Sequence, residues 1–232
     1  MKNKEKSIVL FSGGLDSTVN FMKAYLETEV VMILTFDYGQ QSATWEAEVA
    51  KEIADKFSIR YSIIQLNWLK RLETGLANGK IPDFDDTRID DLDYTKNTAR
   101  AVWVPNRNGV MINIAASFAD KNGIDKIVTG FNKEEGATFP DNSAEFIARV
   151  NRALEYSTLY PTQVVCYTID MNKSEIVKLG IDIGAPFEYI WSCYYGDSKM
   201  CGKCESCQRL KRALKSAGYF DEFIKINRWG FK

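Results

Sequence analysis

Short apolar runs alternate with helix-period stretches along most of the chain. Residues 7–11 read as an apolar strand, and 16–28 as a helix with Val19, Met22, Ala24 and Leu26 among its apolar positions. Residues 30–36 are almost continuously apolar, the pattern of a strand buried on both faces. The alternation continues with a helix over 43–57, a strand over 60–66, a helix over 109–122, a strand over 126–131, a helix over 143–157, a strand over 164–169 and a helix over 173–183. Strands separated by helices predict an α/β fold, a mostly parallel sheet covered by helices on both faces. Ligands of such sheets sit beyond the carboxyl ends of the strands. Residues 12–18, Asp37-Tyr38-Gly39-Gln40 and the segment from Asn132 onward would meet along that edge.

Three stretches depart from the alternation. Residues 67–100 are less regular and end in an acidic cluster, Asp83, Asp85, Asp86, Asp90, Asp91 and Asp93, expected to be a solvated excursion or, alternatively, a lid or partner surface. Residues 191–218 concentrate the cysteines. The tail, 219–232, carries Trp229 and Phe231 and would pack on its own core or on a second subunit as a homodimer. The expected organisation is a main domain over 1–190, a metal-binding segment over 191–218 packed on it, and the tail.

Composition narrows the chemistry. The 232 residues carry a formal net charge of −1, with 45% hydrophobic and 26% charged residues, as in ordinary globular proteins. That balance gives no reason to expect a nucleic-acid partner. No apolar stretch is long enough for a membrane span. The basic start, Met1 to Lys6, leads into no secretory apolar region, so the expected location is the cytoplasm. Histidine is absent, which removes the commonest general base and every Ser-His or Cys-His mechanism.

The most informative local sequence is Phe11-Ser12-Gly13-Gly14-Leu15-Asp16-Ser17-Thr18, where an apolar strand runs into a glycine-rich turn and then a helix. Free backbone N–H groups at such a turn, with the positive end of the helix, make an anion site. The loop lacks the lysine of a Walker A sequence and the third glycine of a dinucleotide fingerprint. It resembles the signature of the PP-loop ATP pyrophosphatases, which split ATP between the α and β phosphates to activate a carboxylate or carbonyl oxygen as an adenylate. That resemblance implies a Rossmann-like sheet of the adenine nucleotide α-hydrolase (HUP) type.

Four of the five cysteines fall within fifteen residues: Cys193, Cys201, Cys204 and Cys207. This density suits a closed tetrahedral Zn2+ site with a structural rather than catalytic role. An iron–sulfur cluster takes the same four thiolates, and a disulfide is the further alternative, disfavoured in a reducing compartment. Cys166 lies in an apolar run and reads as core.

Further segments sharpen the resemblance. Phe36-Asp37-Tyr38-Gly39-Gln40, Val104-Pro105-Asn106-Arg107-Asn108 and Ser192-Cys193-Tyr194, following the loop in this order, resemble the 7-cyano-7-deazaguanine synthase (QueC-type) family from about residue 7 to residue 218. The resemblance implies that ATP adenylates the carboxylate of 7-carboxy-7-deazaguanine, ammonia attacks the acyl adenylate, and a second ATP dehydrates the amide to the nitrile. Residues 11–18 would bind ATP, with Asp16 holding Mg2+ or anchoring the loop; a helix-capping role is the plainer alternative. Arg107 and Lys173 would neutralise phosphate charge, against the alternatives of a surface ion pair and a solvated helix face. Tyr38, Gln40, Asn108, Asn132, Phe139 and Asp141 would contact substrate. The chain departs from the family pattern at Gln41-Ser42, at Asn106, and most of all over 132–143, where only Asn132, Pro140 and Asp141 keep the skeleton.

Three functions follow as expectations. The first is the small-molecule amide and nitrile synthase. The second keeps the acyl adenylate but delivers the deazaguanine to a protein amine, as in QueC-like relatives of antiviral defence systems. The third is a non-catalytic zinc-bearing nucleotide-binding module.

Overall fold

The computed structural model describes residues 4–72, 74–77, 80–89 and 91–232. Met1 to Asn3 and Asp90, part of the basic start and of the acidic cluster, lie outside the described residues.

Five parallel strands form one sheet in the order β3-β2-β1-β4-β5. They are β1 Lys6–Leu10, β2 Glu29–Asp37, β3 Arg60–Gln65, β4 Lys126–Val128 and β5 Gln163–Val165. Strand side chains alternate between faces, so consecutive apolar residues serve two cores. Val9, Ile33 and Val128 face one core, and Ile8, Leu34 and Ile127 the other. The first core is closed by α1 Leu15–Glu27, α2 Ala43–Phe57 and α8 Lys173–Asp182; the second by α5 Arg107–Asn122 and α7 Ala144–Ser157. The strand order reverses between β1 and β4, which opens the ligand crevice where residues 12–18 leave the sheet.

β4 and β5 are shorter than the apolar runs that predicted them. Thr129 N–H still donates to Val165 O, but Phe131 N–H meets Cys166 Sγ and Phe131 O accepts from Thr168 Oγ1, so side chains replace the ladder. The excursion over 67–100 is also more ordered than its polarity suggests. It contains α3 Asn67–Lys70 and α4 Leu92–Val102. The Asp91 carboxylate caps α4 by accepting from the N–H groups of Asp93 and Tyr94, and Asp85 caps a 3-10 turn by accepting from Thr87. Part of the acidic cluster is therefore helix capping.

After β4 comes the short helix α6 Lys133–Gly136, and the C-terminal segment holds α9 Glu205–Ser216 and α10 Phe220–Ile226. The tail packs on its own chain. Trp229 is buried edge-on against Trp191 (5.7 Å between centroids) and Trp45 (5.8 Å), and Phe223 is fully buried. Metal segment, tail and the first core form one continuous apolar cluster. No helix among the described residues is long and apolar enough to cross a membrane.

Candidate active site

At the end of β1 the chain turns at Gly13 (φ +77°), where a Cβ would stand 3.0 Å from Val49 Cγ1. Gly13 O accepts from Trp191 N–H at 2.9 Å, tying the turn to the C-terminal segment. Gly14 is the N-cap of α1 and offers no side chain to the first-turn N–H groups, which leaves them for an anion. Ser17 Oγ donates to Gly14 O at 3.1 Å and lies 3.3 Å from Ser12 Oγ. From the next strand end, Gly130 presses on the same turn: a Cβ there would stand 2.7 Å from Ser17 N.

Asp16 lies in the first turn of α1, but it caps no backbone group. Its Oδ2 accepts from Lys173 Nζ at 2.7 Å and from Asn132 Nδ2 at 3.2 Å, so the capping alternative is corrected. Its Oδ1 is buried without a partner. Lys173 opens α8 behind an Asn172/Glu175 capping box, and its ammonium also meets Glu135 Oε1 at 2.9 Å. The expected alternative of a solvated face is overturned, since the Lys173 side chain is only 10% exposed. Burial opposes the Lys173 charge, yet Asp16 and Glu135 hold its pKa above the usual lysine value. Burial raises the Asp16 pKa despite Lys173. For Glu135 burial is outweighed by Lys173 and Arg209, and its pKa falls.

Arg107 opens α5 after Asn106, whose left-handed φ of +54° turns the chain into the helix. The guanidinium donates to Tyr38 Oη at 2.9 Å and lies 5.4 Å from the Tyr38 ring centroid. The surface ion-pair alternative is therefore overturned. Burial works against the Arg107 charge, but Tyr38, Asp141 and Glu46 keep its pKa raised. Gln40 accepts from Tyr38 N–H and donates to Phe36 O and Glu46 Oε2, bracing the loop after β2. Ser42, one of the departures from the family pattern, donates to Glu46 Oε1 at 2.6 Å. Burial raises the pKa of Glu46, and likewise that of Asp141.

These groups surround two adjoining cavities. The larger, about 230 Å³, is lined by Phe11, Ser12, Gly14, Leu15, Asp16, Ser17, Tyr38, Gln40 and Asn108. The smaller, about 130 Å³, is lined by Trp103, Phe139, Asp141, Glu205 and Arg209. Arg107, Glu135, Asn142, Lys173, Tyr194 and Ser206 line both. Three expected contact residues stand outside the walls. Gly13 faces Trp191 through its carbonyl, Thr18 is buried with its Oγ1 unpartnered, and Asn132 stands behind Asp16 as its hydrogen-bond donor. Glu46, Glu135, Asn142, Glu205, Ser206 and Arg209 have no site role in the sequence reading, and Tyr194 enters it only as part of a family motif. The Glu205-Ser206 pair between two cysteines is a visible signal, masked by the metal ligands on either side of it.

The Sγ atoms of Cys193, Cys201, Cys204 and Cys207 all lie within 4.8 Å of one another, one set of four rather than two disulfide pairs. Cys193 Sγ accepts from Tyr195 and Cys201 N–H, and Cys201 Sγ from Lys203 and Cys204 N–H. Such N–H to sulfur bonds stabilise thiolates, so the donor set fits a thiophilic metal. Cys166 stands apart, partly buried against the second core and not within it, and burial raises its thiol pKa.

The chain matches the family described as "Queuosine biosynthesis protein QueC" over residues 6–218. It is 49% identical over 216 residues to a 7-cyano-7-deazaguanine synthase of Pelotomaculum thermopropionicum, covering 92% of this chain and 98% of that protein. It is 50% identical over 212 residues to that of Carboxydothermus hydrogenoformans, covering 90% and 98%. Among solved structures, the U34-tRNA thiolase NcsA from Methanococcus maripaludis is similar over 97% of this chain and 68% of its own, at 15% identity and a TM-score of 0.49.

Proposed function

The chain belongs to the QueC family and is an ATP-dependent enzyme that forms C–N bonds; we propose that it converts 7-carboxy-7-deazaguanine to 7-cyano-7-deazaguanine. The supporting observation is the pair of cavities joined at Arg107, Glu135 and Lys173. ATP occupies the larger, its phosphates over Ser12, Gly14, Ser17 and the uncapped start of α1. The deazaguanine acid occupies the smaller, its carboxylate toward the junction. A carboxylate oxygen attacks the α-phosphorus there and pyrophosphate leaves. Arg107 offsets the charge gathering on the α-phosphate, and Lys173 holds Asp16 and Glu135 in place. Ammonia then attacks the acyl carbon, AMP leaves, and the amide forms. The amide oxygen attacks a second ATP in the same geometry, and loss of AMP and a proton gives the nitrile. Placement and charge stabilisation carry these steps, as suits a chain without histidine.

Cys193, Cys201, Cys204 and Cys207 would hold Zn2+, which supplies a rigid cross-link with no open coordination position. Asp16, through its unpartnered Oδ1, would hold Mg2+ accompanying ATP, which supplies charge neutralisation at the phosphates. The test is incubation with ATP, Mg2+, 7-carboxy-7-deazaguanine and ammonium, read by mass spectrometry. Pyrophosphate, AMP and nitrile are expected. Amide without nitrile, with mass added to a protein amine, would move the acceptor to a macromolecule; no turnover of any deazaguanine acid would overturn the reading.

A further inference from the structure

Glu205 and Arg209 bind neither phosphate nor metal in the account above, yet both are buried charges in the wall of the smaller cavity. Their side chains are 10% and 12% exposed. Glu205 directly follows a metal-site cysteine, Cys204, and Arg209 stands one turn further along α9. Arg209 donates through Nε (2.9 Å) and Nη2 (2.8 Å) to a single oxygen, Glu205 Oε1. Glu205 Oε2 accepts no hydrogen bond from the described residues. A buried ion pair adds little stability over apolar packing, and the same pair on the surface would serve the helix as well.

The other acids of this cavity are engaged toward its reacting end. Glu135 is paired with Lys173, and Asp141 accepts from Asn142 Nδ2 beside Arg107. Glu205 and Arg209 line only the smaller cavity, as do Trp103 and Phe139, which stack on each other with centroids 6.0 Å apart and planes 10° from parallel, so a base would lie beside the pair and not between its rings. Such faces suit a flat bicyclic base. The pairing edge of a deazaguanine offers a 2-amino donor and an N1–H donor away from the 7-carboxylate, and a 6-oxo acceptor on the carboxylate's side. A carboxylate oxygen beside a guanidinium is the complement of that edge.

Resting on the deazaguanine reading above, we propose that Glu205 and Arg209 read this edge: Glu205 accepts from N1–H and the 2-amino group, and Arg209 donates to the 6-oxygen. The four-cysteine segment is then part of the substrate site, because its fold sets Glu205 in the cavity wall.

Glu205→Gln tests this, with calorimetric binding of 7-carboxy-7-deazaguanine and of its 2-oxo analogue, 7-carboxy-7-deazaxanthine. The variant should bind the 2-amino acid roughly ten- to a hundredfold more weakly. Its preference should shift toward the 2-oxo analogue, to which the glutamine N–H can donate, while ATP affinity and metal content stay unchanged. Unchanged affinity for the 2-amino acid, or equal weakening for both analogues, overturns the proposal. If Glu205→Gln loses its metal, Arg209→Lys serves instead. It should weaken both analogues, which share the 6-oxygen, and spare ATP; no change in either overturns the proposal. A wild-type protein that binds neither acid overturns the functional reading and this inference with it. A wild type that turns over the acid while the variants bind it unchanged overturns the inference alone.

Discussion

Lys173→Met removes the cation that pairs with both Asp16 and Glu135. Lys173 Nζ stands 2.7 Å from Asp16 Oδ2 and 2.9 Å from Glu135 Oε1, with side chains 10%, 13% and 31% exposed. Without the ammonium, Asp16 keeps one donor, Asn132 Nδ2 at 3.2 Å, and its other oxygen is already unpartnered. Breaking a buried pair in this way costs about 3–5 kcal/mol. The cost has a direction in pH. Burial already raises the Asp16 pKa and Lys173 lowers it, so the substitution raises it further. A carboxyl whose folded-state pKa lies above its unfolded value contributes stability that is present below the unfolded pKa and lost as pH rises through the folded one. The deficit of the variant should therefore be larger at about pH 8 than at about pH 5. Urea unfolding of wild type and variant at both pH values measures it, and Asp16→Asn combined with Lys173→Met should recover part of the stability without restoring pyrophosphate release. A deficit below about 1 kcal/mol, the scale of a solvent-exposed pair, or a deficit that grows on acidification, would refute the reasoning.

Gly130→Ala places a methyl group 2.7 Å from Ser17 N, so it should displace the first turn of α1 and weaken ATP binding at least tenfold, on the order of 1.4 kcal/mol; unchanged affinity by calorimetry would contradict that contact. Asn106 holds a left-handed φ of +54°, so Asn106→Val should cost about 1–2 kcal/mol and slow pyrophosphate release by shifting Arg107, whereas Asn106→Gly should leave both close to wild type. Cys204→Ser should release the bound metal, measured by elemental analysis, and lower the melting temperature; a stable, active, metal-free variant would remove the structural role given to the four thiolates.

The parts of this protein that were legible in sequence are those with a local signature. The apolar run before Ser12 fixes β1, the glycines fix the turn, and Asp16, Ser17, Arg107 and Lys173 sit at helix starts where the fold brings chain ends together. The cysteine spacing located the metal site for the same reason. Partnerships were not legible. Hydropathy reads Glu135, Glu205 and Arg209 as solvated charges, because a buried ion pair differs from a surface one only in what the distant chain packs over it. Residues 131 and 166–169 lengthen two expected strands because Phe131, Cys166 and Ile169 are apolar and pack on the second core after the ladder has ended. Asp91 did carry a cap signal for α4, obscured by its acidic neighbours. Residues 133–143 depart from the family pattern, yet they place Glu135 and Asn142 in the cavity walls, so the departure alters the lining without removing it.

The central claim is that a carboxylate oxygen of the substrate attacks the α-phosphorus of ATP. The most direct measurement is turnover of 7-carboxy-7-deazaguanine labelled with ¹⁸O in its carboxylate, with the products resolved by mass spectrometry. Label is expected in AMP, with pyrophosphate unlabelled. Unlabelled AMP, or label in inorganic phosphate, would contradict the claim.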